Sequence, residues 1–549
     1  MQRGADSQRV AFTSHQKELW LACQASLQGE VDSRCYFYID KRVCRTTLEK
    51  AQSILLDHFP LLRARIHLQG KEPFFELNAA DPFKLTVLDF SKESDPEMSA
   101  RAFAEGFFDQ PLADQPLRAA LLHTSERASM YALKASHIAM DGIAMAYYMD
   151  LLAEAYQSLV LGEEASLGEP CSPYALLEAD EKHFSSSRVE QDTAFWKEHL
   201  EQLPDQRIFR ARPGFPDVLG QTRHKRYAFS VAESQPINML VERHNVSPST
   251  LFTALHALAV GFMCDEHAVI VQTPVAFGER KKRDQRQGHQ IALPPVHLDL
   301  SRFDSFGEIL GEIEQQNKQF FRHVRTPYQL AMRQLKAKKF THLADGIMNF
   351  LSYSPQGNRE FPIRTYEQMH SAKDEVVLGT MIIPEESASF GLNVRSSCNH
   401  LSEQDVARYV TRMAWLAEQL AAGVELAELN YILKEEAQEL LQWQQGELRK
   451  DAPQTIPERF DETAAAYASK PAVKDELGAS ITYAELQERS LRCAAWLTGQ
   501  GVKKGDVVGV AAERSLRLYE ILLGIMRIGA VYLPLDPKSP PERLEHIVN

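Results

Sequence analysis

The chain has 549 residues, 44% hydrophobic and 25% charged, a globular balance with length enough for about three to four domains. Its net charge of -13 argues against a nucleic-acid-binding face, the short Arg280-Lys281-Lys282-Arg283 run being diluted by acid elsewhere. No apolar run of about 18 residues suggests a membrane span, no secretory signal opens the chain, and seven scattered cysteines without a CxxC pair suit buried thiols in a reducing cytosol.

In chain order, Phe12 to Gln24 reads as a helix capped by Thr13 or Ser14, with Leu19, Trp20 and Cys23 as its apolar stripe. Tyr36–Ile39 is strand-like. A helical pattern from Thr46 to His58 carries Leu48, Ala51, Leu55 and Leu56. Pro60 interrupts, and Leu61–Ile66, Phe74–Leu77 and Leu85–Leu88 read as strands. Ala119 to His123 and Met130 to Ala135 are apolar strands, and a helix with Ile143, Tyr147 and Leu151 at spacing four follows. Residues 161–185 read as a crossing between two lobes, broken by Gly162, Gly168, Pro170 and Pro173.

Beyond the crossing, Phe195–Leu200 is helical and Arg226–Ser230 a strand. Ser247 to Thr250 caps an apolar helix from Leu251 to Met263. Ala268 to Thr273 and Pro294 to Leu300 are strands, 304–334 holds helices divided near Pro327, and Met348–Tyr353 and Phe390–Val394 are late strands. Ser402 caps a helix to Ala422. Lys434 to Asp451, rich in Glu, Gln and Lys, reads as a linker, and a new α/β segment starts near Ile456. No repeat or low-complexity tract is visible.

Between the strand ending at Ala135 and the helix starting near Ile143 lies Ser136-His137-Ile138-Ala139-Met140-Asp141-Gly142. A histidine at a strand end is held rigidly while facing a cavity, and imidazole moves protons near neutral pH. Asp141, four positions on, can hydrogen-bond that imidazole or bind an Arg and brace the loop. For an arbitrary protein the same pattern is a satisfied core histidine beside a turn.

The stretch resembles the His-His-x-x-x-Asp-Gly signature of condensation domains of nonribosomal peptide synthetases, in the chloramphenicol acetyltransferase-like superfamily. Other stretches resemble family motifs in the same order: Thr13 to Trp20, Leu62 to Ile66, Phe108-Asp109 through Arg118, Thr273 to Arg280, and His323 through Tyr328. Ile481 to Leu486 and Met526 to Asp536 resemble two early motifs of adenylation domains. Ser136 stands where the signature has its first His. The family's Ile-Gly-Phe-Phe-Val-Asn-Thr stretch is barely recognisable in Gln290 to Val296, and Arg325-Thr326 departs from the later motif.

The resemblance implies two chloramphenicol acetyltransferase-like α/β lobes in a V-shaped pseudo-dimer: 1–172 as the N-lobe and 173–432 as the C-lobe. A linker over 433–455 and a partial α/β adenylation subdomain over 456–549 would follow. It implies amide formation between a donor acyl thioester and the amine of an aminoacyl thioester on a peptidyl carrier protein. Both substrates would ride on phosphopantetheine arms, or the donor on coenzyme A. His137 is the implied catalytic residue, accepting the amine proton or orienting the amine and stabilising the tetrahedral intermediate. Asp141, Gly142 and Arg280 are the bracing set, with Asp141 paired to Arg280 across the lobes. Asn349 and Tyr353 read as core or tunnel wall, and His297 and His323 as scaffold. No metal and no directly bound cofactor are expected.

Because the pattern begins almost at Met1, the donor is expected to be a fatty-acyl starter from coenzyme A or an acyl carrier, as in lipopeptide initiation. An elongating domain fed by a separate synthetase, and a non-catalytic recruitment module, are the alternatives. The adenylation segment reaches Asn549 before any Gly-rich phosphate loop, so no adenylation activity is expected of it, and the chain reads as part of a larger cytoplasmic synthetase.

Overall fold

The computed structural model describes the chain except for residues 1–8, 26–31, 78–82, 110–111, 113–115, 205–207, 218–220, 278–286, 336–343, 345, 352, 354, 356, 371–376, 386–387, 446–453, 477 and 549. It divides into two compact units, Met1–Ala437 and Gln438–Asn549.

The first unit is mixed α/β and holds two larger sheets. One has five strands in the order Ile363–His370, Asp32–Ile39, Ala128–Ser136, Leu117–Ser125 and Thr86–Asp89. Its pairs are antiparallel except the last, which is parallel. The helices Arg45–His58 and Gly142–Leu161 pack together in its core, where Leu48, Leu55, Tyr148 and Leu152 are buried. The strand Ala128–Ser136 sits in the middle of the sheet, and its interior reads as an almost continuous buried run, as expected of a strand covered on both faces.

The other sheet has six strands in the order Pro295–Asp299, Ala268–Gln272, Gly346–Phe350, Leu378–Pro384, Phe390–Ser397 and Thr222–Phe229. Across it packs the helix Pro248–Cys264, whose residues 250–261 are all buried. Ser247 caps that helix, its Oγ accepting from the Thr250 amide at 3.1 Å, and Pro248 takes the first turn, where a missing N–H costs nothing. The helix Glu403–Ala421 covers it, with a capping box between Ser402 and Asp405. Among the described residues no single helix is long and apolar enough to cross a membrane; a bent pair that includes Pro248–Cys264 passes by composition.

The structure differs from the sequence expectations in several places. Leu61–Ile66 is not one strand: Pro60 starts a 3-10 turn over Pro60–Arg63, because its fixed φ suits a helical first turn, and the strand is Arg65–Gln69. The crossing region contains the helix Ala175–Phe184. The Phe108-Asp109 motif is the end of a helix, Pro96–Asp109. The Glu/Gln/Lys-rich stretch after Leu433 is helical over Lys434–Gln445, since those residues are good helix formers. Ile363–His370, although in the second half of the chain, is an edge strand of the first sheet, antiparallel to Asp32–Ile39 with a register shift between Ile363 and Thr365.

The second unit, described by itself, has a parallel pair Val507–Ala511 with Val531–Leu535 and an antiparallel pair Pro471–Lys474 with Ser480–Thr482. The Ile481-Thr482-Tyr483-Ala484-Glu485 stretch has a physical purpose. Thr482 and Glu485 form a capping box, joining the strand Ser480–Thr482 to the helix Tyr483–Gly499.

Candidate active site

The motif starts where the central strand stops. The Ser136 carbonyl accepts from the amides of Ala139 and Met140, both at 3.0 Å, closing a turn that carries His137. Ser136 itself stays in the sheet, opposite Asp32. Two outside clamps hold the turn. Gln16 Nε2 donates to the Ile138 carbonyl at 2.9 Å, and the Gly288 amide donates to the Ala139 carbonyl at 2.8 Å. Gly288 has φ +76°, and a Cβ there would lie 2.9 Å from Leu176 Cδ2 and 3.3 Å from Gln16 Nε2, so both backbone angle and space call for glycine.

Asp141 is fully buried and joins two segments. Its Oδ1 accepts from the Ala144 amide at 2.8 Å and so caps the helix Gly142–Leu161. Its Oδ2 accepts from the Gln290 amide at 3.1 Å, 149 residues along the chain. The bracing partner expected for it, Arg280, lies outside the described residues. Gly142 is the first residue of the helix and lines the cavity; its φ is not positive. Replacing Asp141 with Ala removes the cap and leaves a buried amide unmatched. Stability is expected to fall about 2–4 kcal/mol in chemical unfolding. Asp141→Asn, which keeps one acceptor, is expected to lose less.

Behind the site lies a buried charge cluster. Lys134 Nζ is 3.1 Å from Asp32 Oδ2 and donates to the Phe108 carbonyl at 3.0 Å; Arg34 Nε holds Asp32 Oδ1 at 3.1 Å and its Nη1 holds Asp109 Oδ1 at 3.1 Å. The Phe108-Asp109 motif is thereby fixed to the strand that delivers His137.

His137 Nδ1 lies 3.1 Å from Nδ1 of His289, the two rings meeting edge to face with centroids 5.0 Å apart. Burial pushes the His137 imidazole below its usual pKa, while Asp141, its own backbone carbonyl and Asp32 pull the other way. His289 is the residue that sequence reading missed. It stands between Gly288 and the Gln290 to Val296 stretch that departs from its family motif, and that placement was the available signal.

Both histidines open onto a cavity of about 1050 Å³, whose wall draws on both sheets. Asn349 and Tyr353 lie on this wall. Tyr353 donates to the Asp150 carboxylate and meets Tyr147 edge to face at 4.7 Å. Ile143, Leu293, Ile347, Phe350 and Met381 supply an apolar surface; Arg101, Lys225, Arg226, Glu367 and Arg395 add charge. His323 instead bonds Asp192 at 2.7 Å, and His297 lies in the strand Pro295–Asp299, its backbone amide donating to Gln316. Among the described residues no group of three or more His, Cys, Asp or Glu is placed to hold a metal ion.

Residues 6–410 match the condensation domain family, and residues 460–549 match the AMP-binding enzyme family. The dimodular nonribosomal peptide synthase of Bacillus subtilis is 23% identical over 554 aligned residues, covering 98% of this chain and 23% of that protein. Surfactin synthase subunit 1 of the same organism is 25% identical, covering 80% of this chain and 12% of that protein. The chain thus spans a small fraction of these relatives. Among solved structures, a starter condensation domain variant of rhizomide synthetase RzmA in complex with C8-CoA aligns with TM-score 0.66 at 18% identity, covering 77% of this chain and 97% of that one. A holo four-domain nonribosomal peptide synthetase bound to AMP and glycine aligns with TM-score 0.74 at 16% identity, covering 98% of this chain and 42% of that one. With its chloramphenicol acetyltransferase-like fold and a family match over most of its length, the chain belongs to the condensation domains of nonribosomal peptide synthetases, which are amide-forming acyltransferases, and continues into a partial AMP-binding domain.

Proposed function

We propose that this chain joins an acyl thioester to the amine of an aminoacyl thioester borne on a peptidyl carrier's phosphopantetheine, with His137 as the catalytic residue. The observation that carries the reading is His137 on the wall of a cavity of about 1050 Å³ bounded by both sheets, room enough for two thioester ends. The amine nitrogen attacks the donor carbonyl and the C–N bond forms. His137 takes or orients the amine proton, the tetrahedral intermediate collapses, the C–S bond breaks, and the thiol leaves protonated. Holding both ends in one cavity makes the attack effectively unimolecular.

The donor is a fatty acyl group from coenzyme A or an acyl carrier, so the product is an N-acylated first amino acid. The apolar wall at Ile143, Leu293, Ile347 and Phe350 supports this, and a starter condensation domain of the same fold binds C8-CoA. Seven scattered cysteines without a CxxC pair suit a cytoplasmic setting. Acyl-coenzyme A donors of graded length, offered with aminoacyl-loaded carriers and read by mass spectrometry, are expected to give acylated aminoacyl carrier. Product only from aminoacyl or peptidyl donors marks an elongating domain. No product with any donor, alongside retained partner binding, marks a recruitment module.

The pH profile follows from the site. The neutral imidazole is the working form, and burial lowers its pKa from 6.5. The kcat profile at saturating substrate is therefore expected to rise with pH, with its half-point below about 6.5, and then to level off. A half-point above about 7 contradicts this. The free amine itself titrates near 7.7–8, so kcat rather than kcat/KM carries the test.

A further inference from the structure

Two imidazoles face each other at the site through the same kind of atom, Nδ1 to Nδ1 at 3.1 Å. A hydrogen bond between two ring nitrogens needs one proton, donated by one and accepted by the other. The direction decides the chemistry of His137. If His289 donates, His137 carries its own proton on Nε2, and that nitrogen has no lone pair to take one from an amine. If His137 donates, its lone pair is on Nε2.

The acyl-transfer reading chooses between them: taking a proton from the amine needs the lone pair on Nε2. The His137 proton is then on Nδ1, and the facing His289 nitrogen accepts it across 3.1 Å.

We propose that His289 is a positioning residue: its Nδ1 accepts the Nδ1–H of His137, fixing the tautomer that keeps the His137 lone pair on Nε2. The inference rests on the acyl-transfer reading for the direction of the bond and for its kinetic consequence. His289 is well held for this task. Gly288 and Gln290 on either side are bonded to Ala139 and Asp141, so the segment that presents His289 is tied to the loop that presents His137. The other charges on His137 are Asp141 and Asp32, the second compensated by Lys134 and Arg34.

The test uses the full chain labelled with 15N-histidine, with His137→Ala and His289→Ala difference spectra to assign the two rings. The expected result is Nδ1–H for His137 and Nε2–H for His289 at neutral pH. In His289→Phe, which fills the space without an acceptor, His137 is expected to shift toward the Nε2–H form. The kcat for amide formation is expected to fall about 10- to 100-fold, as when the group orienting an active histidine is removed. In His289→Asn, whose Oδ1 accepts but does not protonate in this range, the Nδ1–H signature and most of kcat are expected to return. Nε2–H on His137 in the parent, or an unchanged His137 signature in His289→Phe, overturns the proposal. Parent protein with the expected tautomers but no acyl transfer overturns the functional reading and supports the assignment.

Discussion

Replacing His137 with Ala is expected to reduce kcat for amide formation about 10²- to 10⁴-fold, the range that a positioned proton-transfer group contributes. Folding is expected to survive. The backbone around His137 is fixed independently of its ring, by Gln16 to the Ile138 carbonyl, Gly288 to the Ala139 carbonyl and the Asp141 cap. KM for either thioester is expected to change little, because a group that acts on the developing transition state weighs on kcat. His137→Gln separates base from positioner: its amide orients an amine by hydrogen bonding but does not take the proton. Near-normal turnover in His137→Ala, with the unfolding profile unchanged, ends the assignment of catalysis to this residue.

The largest expected loss of stability lies elsewhere. Asp32 and Lys134 are 1% exposed, and the carboxylate is shared between Lys134 and Arg34. Removing the carboxylate with Asp32→Ala leaves Lys134 as a charge buried on a central strand. The penalty for breaking such a pair from one side is about 3–5 kcal/mol. The pair together contributes far less, since taking both ions out of water cancels most of their attraction. The double variant Asp32→Leu, Lys134→Met is therefore expected to recover most of the stability lost in Asp32→Ala. Calorimetry on the parent, Asp32→Leu, Lys134→Met and the double variant gives the coupling directly. A double variant no better than the worse single one refutes the desolvation account.

Much of this was readable in the residues. Buried central strands such as Ala128–Ser136 announce themselves as apolar runs, and Ser247 with Pro248 and Ser402 with Asp405 mark helix starts by chemistry that is local. What escaped was non-local. The strand Ile363–His370 has an Arg, a Glu and a Gln interleaved with its apolar residues, and only its pairing with Asp32–Ile39 makes it a strand. His289 is 152 residues from His137, and no spacing rule relates them. Asp141 was expected to pair with Arg280, which lies outside the described residues; its visible partners are backbone amides, which carry no sequence signature. Pro60 misled because a proline between two apolar stretches ends a helix and begins a tight turn equally well.

The strand Ile363–His370 bears on how synthetases exchange parts by recombination. A crossover near residues 172/173 separates the two halves of the gene but not of the fold. Donor DNA for the first half brings the strand Asp32–Ile39, and the recipient's second half brings the strand that must zip onto it. A mismatched hybrid leaves an eight-residue strand unpaired along one edge, with unmet N–H and C=O groups open to a neighbouring molecule. Phe361, Tyr366, Met381 and Ile383 from the second half also fill the first core, so a foreign partner leaves voids there too. A cut outside Met1–Ala437 leaves both this strand pairing and the shared core intact.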